Sequence, residues 1–176
     1  MPGCAAAPAM PEWVMAGPTL IFRTEPRAGD GEALRAIAAA TGVFAASELD
    51  FVPDIIATML KDGDKSGYWL LVAEEHGTPL AFAIFGTIPG TENRFDLYWI
   101  ATSPMAQGKG LARRLMDETR ARARALGATH LFIQTSTRGD YAAARTLYER
   151  CGFPLIATVP DYYRDDDGLA IFGARL

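Results

Sequence analysis

The sequence predicts a mixed α/β domain with the element order βααβββαβαββ. Three patterns carry that expectation. Short apolar runs alternate with stretches of helical period. Glycine, proline or polar clusters fall at nearly every boundary between them. One long amphipathic stretch lies between two strands in the second half, where the chain needs a helical crossover to return to its sheet. The 176 residues are one domain's worth, with 49% apolar and 22% charged side chains, the composition of a globular protein.

Thr19 to Arg23 reads as the first strand. Asp30 can cap a helix running to about Thr41, with Leu34, Ile37, Ala38 and Thr41 on one face and Gly42 as its stop. Val43 to Leu49 reads as a loop, and Asp50 or Pro53 opens a second helix through Leu60. The polar run from Lys61 to Gly67 is a turn. Tyr68 to Glu75 and Leu80 to Ile88 read as a hairpin of two strands, broken by Pro89-Gly90. Phe95 to Thr102 is the fourth strand, with Phe95, Leu97 and Trp99 expected on one face and Asp96 on the other. The long helix runs from about Gln107 to Leu126, with Leu111, Leu115, Thr119, Ala123 and Leu126 as its apolar stripe. His130 to Thr135 is the fifth strand. Asp140 is expected to cap a fourth helix, striped by Ala144, Leu147, Tyr148 and Cys151 and ended by Gly152. Phe153 to Val159 and Leu169 to Arg175 close the sheet.

Composition narrows the function. The net charge of −4 argues against a globally basic nucleic-acid binder. The two cysteines, Cys4 and Cys151, give no disulfide framework, and neither they nor the isolated His76 and His130 have metal-ligand spacing, so no metal site is expected. No apolar run approaches the ~20 residues of a membrane span. Residues 1–18, rich in Ala, Pro and Gly, lack the basic start of a secretory signal and read as a mobile tail before a domain at 19–176. A cytoplasmic location is the corresponding expectation.

The most informative segment is Ser103-Pro-Met-Ala-Gln-Gly-Lys-Gly-Leu-Ala-Arg-Arg-Leu115. A strand ends, the chain turns, and a helix begins with two glycines in its first turn. The first amides of a helix lack internal partners and sit at the positive end of its dipole. Between Gln107 and Leu126 six basic side chains (Lys109, Arg113, Arg114, Arg120, Arg122, Arg124) face two acidic ones (Asp117, Glu118), a local +4. An anionic ligand is the natural partner. The phosphate-loop pattern fails at Ser103 and Gly110, and the dinucleotide fingerprint fails at Arg113.

Gln107-Gly-Lys-Gly110-Leu-Ala112 resembles the Gln/Arg-x-x-Gly-x-Gly/Ala signature of the GCN5-related N-acetyltransferases. Ala144-Arg-Thr-Leu-Tyr148-Glu-Arg-Cys-Gly152-Phe153 is similar to that family's second signature, 32 residues further on from Ala112 to Ala144. The resemblance implies a mixed, mainly antiparallel, twisted sheet with helices on both faces and acetyl-CoA as co-substrate in a cleft between strands four and five. It implies transfer of acetyl to a small-molecule or peptide amine. Pantetheine contacts would come from the backbone of Ile100, Ala101 and Thr102. The pyrophosphate would lie on the amides of Gln107, Gly108, Lys109, Gly110, Leu111 and Ala112. Ser136, Arg138 and Arg145 are candidate partners on the far side of the cleft. Homodimers are common among similar proteins. Where many relatives carry an asparagine seven residues before the tyrosine, this chain has Tyr141.

The reaction so implied needs a proton acceptor for the amine and a donor for the departing thiolate. The resemblance makes Tyr148 the donor. Asp96 on strand four and Glu48 in the loop between the first two helices are the two candidate bases. Cys151 reads as structural filler. Asp161-Tyr162-Tyr163 either covers the acceptor site or packs as an edge, and the acidic run from Arg164 to Gly168 either attracts a cationic acceptor or is a solvated turn. A non-catalytic acyl-CoA sensor would keep the glycine loop without Tyr148 or a base. An interaction domain using Trp13 and the last strand is a third reading. With +4 in the long helix, the rest of the chain carries −8, a balance suited to a cationic acceptor.

Overall fold

The computed structural model describes residues 20–176. The expected N-terminal tail and Thr19 lie outside them. Seven strands form one sheet in the order β1-β2-β3-β4-β5-β7-β6. They are β1 (Leu20–Arg23), β2 (Tyr68–Glu75), β3 (Thr78–Thr87), β4 (Arg94–Thr102), β5 (His130–Ser136), β6 (Leu155–Arg164) and β7 (Asp167–Arg175). All neighbours are antiparallel except β4 and β5. That single parallel pair is the one joined by the long helix, because a parallel return needs a crossover.

The helices are α1 (Asp30–Ala40), α2 (Ala46–Leu49), α3 (Phe51–Asp62), α4 (Leu111–Ala125) and α5 (Ala142–Arg150). They divide between the two faces. Leu70, Val72, Phe82 and Ile84 pack with Leu34, Ile37, Val52, Ile56 and Met59 on the α1–α3 side. Their strand neighbours Leu71, Ala73, Ala83 and Phe85 pack with Leu111, Leu115, Met116 and Tyr148 on the α4–α5 side. With both faces covered, β2 and β3 read as continuous apolar runs rather than as alternating ones.

Several expectations are corrected. Trp99 does not share the face of Phe95 and Leu97. The β3–β4 register shifts so that Ile84 pairs Trp99 while Phe85 pairs Leu97, leaving Tyr98 as the extra residue of a bulge. One extra residue inverts every side chain beyond it, so Trp99 packs on the α1–α3 side. The segment Val43–Leu49 is not wholly a loop, since α2 closes one turn within it. Asp140 does not cap α5; its carboxylate pairs with Arg138, and Tyr141 is the capping residue. Phe153 is a fully buried anchor ahead of β6 rather than part of it, and β6 continues through Pro160 to Arg164 as an exposed edge strand.

Asp30 opens α1 but serves a buried ion network. Arg23 donates to Asp30 at 2.8 and 2.9 Å and to Glu74 at 3.1 Å, and Arg27 reaches Glu74 at 3.2 Å. The network ties β1, α1 and β2 together away from the site.

Candidate functional site

The parallel register of β4 and β5 runs only from Arg94↔His130 to Leu97↔Ile133. Beyond it β4 stays paired to β3 and β5 to β7, but the two strands part. The gap between Tyr98–Thr102 and Gln134–Ser136 is the centre of the site.

At its upper end the chain makes a 3-10 turn, Pro104–Ala106, and Gln107 follows in extended conformation. The Gln107 side chain donates to the Thr102 carbonyl at 3.2 Å, fixing the loop to the strand end. Gly108 and Gly110 both have left-handed backbone, at φ 75° and 74°, a conformation that glycine adopts without penalty. Helix α4 therefore starts at Leu111, four residues later than expected, because two left-handed residues cannot lie inside a right-handed helix. Arg114 makes the first amide bond of the helix, to the Gly110 carbonyl at 3.2 Å. The amides from Gly108 to Arg113 have no protein acceptor among the described residues. Nothing lies within 4 Å of where a Cβ would stand on either glycine. An open cradle of unpaired N–H groups at a helix start fits a pyrophosphate.

Tyr148 lies on α5 with 5% exposure, its ring edge-on to Phe172 at 5.6 Å. Burial, then the neighbouring Tyr141, raises its phenol above the ordinary range, so it keeps its proton at neutral pH. Cys151, one turn on, is buried, and burial raises its thiol as well. That leaves it a poor nucleophile.

Asp96 is 6% exposed and faces away from Phe95 and Leu97. Gln134 donates to its Oδ2 at 2.8 Å, while Oδ1 is buried without a partner. Burial pushes its carboxyl up to about 6, and the Gln134 bond works in the other direction. Glu48 stands in a different setting. It is half-buried, and its Oε2 accepts the Ala45 amide at 2.6 Å in the first turn of α2.

Ser136 and Arg145 are engaged within the protein. The Ser136 hydroxyl donates to Asp167 and accepts the Arg138 amide at 3.0 Å. Arg145 donates to the carbonyls of Ser136 and Arg138 at 2.6 and 2.8 Å. These bonds lash the β5–α5 connection beside the gap. Across from them, Phe44 packs on Trp99 with ring centres 4.6 Å apart and meets Tyr141 edge-on at 6.2 Å. The Tyr141 hydroxyl donates to the Val43 carbonyl at 3.0 Å, closing an aromatic wall.

Sequence reasoning missed Gln134 and Phe44. Gln134 is an exposed polar residue on a strand, with no local pattern to mark it, and its partner is 38 positions away. A cavity of about 360 Å³ lined by Arg94, His130 and Arg175 lies at the opposite ends of β4 and β5 and holds none of these groups. Among the described residues no three His, Cys, Asp or Glu side chains cluster as a metal site, and no helix is long and apolar enough to cross a membrane.

The acetyltransferase (GNAT) family model matches residues 33–153. The mycothiol acetyltransferase of Beutenbergia cavernae is 33% identical over 101 residues, 56% of this chain and 32% of that protein. This chain thus spans about a third of the length of that relative. A GNAT-family structure from Desulfovibrio desulfuricans superposes with a TM-score of 0.87 at 33% identity, covering 89% of this chain and 99% of that one. A Salmonella typhimurium structure determined with acetyl-CoA shares the fold, with a TM-score of 0.72 at 24% identity over 89% and 94% of the two chains. The family model covers more than half of this sequence, and both signature segments end inside or at its limits, so the chain belongs to the acetyltransferase (GNAT) family.

Proposed function

We propose that this chain transfers the acetyl group of acetyl-CoA to a primary amine of a small molecule or peptide. The observation that carries the reading is the row of unpaired amides from Gly108 to Arg113 beside the parted strands. Acetyl-CoA supplies an acetyl thioester and a phosphate-rich handle. The amides of Gly108 to Ala112 and the dipole of α4 receive the handle, the Gln107 amide being held by the Pro104 carbonyl at 3.4 Å, and the free edge of Ile100 to Thr102 orients the extended arm. Ser136 and Arg145 hold the opposite rim in shape.

Asp96 is the base in this reading. Its pKa of about 6 leaves it ionised at neutral pH. An ammonium, with a pKa near ~10, has no lone pair, so the attacking species is the small neutral fraction in equilibrium with it. As the amine lone pair bonds to the acetyl carbonyl carbon the nitrogen becomes cationic and its N–H acidic, and Asp96 takes that proton. The C–S bond breaks, and the Tyr148 phenol gives its proton to the sulfur. Tyr148 belongs to the α4–α5 face and Asp96 to the other, so the two groups serve the gap from opposite sides. Glu48 is better suited to shaping the acceptor side, because its carboxylate is occupied with α2.

Release of free thiol from acetyl-CoA in the presence of a panel of amines tests the reading. Amine-dependent release is expected. Tight acetyl-CoA binding without release from any amine would favour a sensor on the same fold.

A further inference from the structure

Oδ1 of Asp96 is the one buried side-chain polar atom without a partner among the described residues. The other buried charges are all matched: Arg23 by Asp30 and Glu74, and Asp167 by the Ser136 hydroxyl and by Arg164 at 3.6 Å. A buried carboxylate oxygen left unmatched calls for a cationic donor from outside the chain.

The surroundings restrict what that donor can carry. Acidic groups on this side are Glu48, Asp96 and Asp167, and all three act on the Tyr163 hydroxyl. The basic groups are already engaged. Arg138 pairs with Asp140, Arg145 holds two carbonyls, Arg164 pairs with Asp167, and Arg35 pairs with Asp50 at 3.1 Å. Each of these four guanidiniums already has a protein partner among the described residues. The Phe44, Trp99 and Tyr141 rings instead offer an apolar, cation-tolerant wall, held to the backbone by the Tyr141–Val43 bond.

We propose that the acceptor is a primary amine with no carboxylate next to its amino group, its ammonium against Asp96 and its apolar body along Phe44, Trp99 and Tyr141. This rests on the transfer reaction proposed above, and it excludes the α-amino group of free amino acids as a good acceptor. A second carboxylate would enter a region already carrying Glu48, Asp96 and Asp167 and would add to the repulsion there.

Two matched pairs of probes differ by one carboxylate beside the single amino group: tyramine against tyrosine, and phenethylamine against phenylalanine. The expected result is a kcat/KM at least about tenfold higher for the decarboxylated member of each pair, in keeping with uncompensated like charge. Equal or reversed values would overturn the proposal. Calorimetry of tyramine and tyrosine with CoA present separates it from the reaction itself. Preferential binding of tyramine without turnover would leave the acceptor class standing and sink the transfer; no preference in binding would sink the acceptor class. In Asp96→Asn the tyramine preference should shrink. A preference fully kept in a folded variant would overturn the role of Asp96.

Discussion

Gln134 donates its side-chain amide to Oδ2 of Asp96 at 2.8 Å beside the last paired stretch of β4 and β5, orienting a carboxylate whose Oδ1 is buried without a side-chain partner. The arrangement raises the group to about 6 yet keeps it ionised at neutral pH. The kcat/KM profile of the wild-type protein should therefore rise through pH 6 as Asp96 loses its proton. Asp96→Asn should lower kcat/KM by about 10²-fold or more and abolish that limb. A limb near pH 6 that survives in the variant would remove Asp96 from the reaction.

The same residue has a stability signature. The folded pKa of about 6 lies above the ordinary aspartate value of 3.8, so between those values the folded state holds the proton more tightly. Stability then falls as pH rises through that window, and the penalty is complete above it. Its full size is about 3 kcal/mol. Thermal denaturation of Asp96→Asn should show a gain at pH 8 that is absent near pH 4. A gain independent of pH would contradict the assignment.

Tyr148→Phe removes one hydroxyl and keeps the buried ring. Acetyl-CoA affinity by calorimetry should be retained, while kcat falls at least about tenfold. Normal kcat with bound co-substrate would mean that Tyr148 only fills the core beside Phe172.

Gly110 bears both the left-handed turn and the open cradle. Gly110→Ala should cost about 1–2 kcal/mol of stability through its positive φ. Gly110→Glu adds a negative charge facing the free amides and should abolish measurable acetyl-CoA binding in a still-folded protein. Unaltered binding would dismiss the loop as the phosphate cradle.

Arg23 closes the buried network of Asp30 and Glu74. Arg23→Met would strand two buried carboxylates and should cost about 3–5 kcal/mol in urea denaturation at neutral pH. A loss below about 1 kcal/mol would show that water or Arg27 compensates.

Much of this was legible in the sequence, and the exceptions have physical causes. Strand and helix positions followed from apolar periodicity, and the two signature segments carried the family. The face of Trp99 was not legible, because a bulge at Tyr98 leaves no mark in an apolar run. The start of α4 was misplaced because glycines permit a helix as readily as a left-handed turn. Ser136 and Arg145 looked like free polar groups, but their partners are backbone carbonyls and Asp167, set by the tertiary fold. The Asp96–Gln134 bond depends on strand pairing between distant segments, beyond the reach of local pattern.

The early end of the β4–β5 ladder has one more consequence. Two rows of main-chain donors and acceptors face each other with no strand between them, so an extended guest bearing amides can be read as a missing strand would be. Such reading ignores side chains. Replacing most residues along 98–102 and 134–136 would leave the hydrogen-bonding edge intact, and proline is the substitution that would erase a donor from it. Under the proposed function, recognition of the acyl carrier would be separated from the identity of these residues, leaving their side chains free to diversify toward the acceptor.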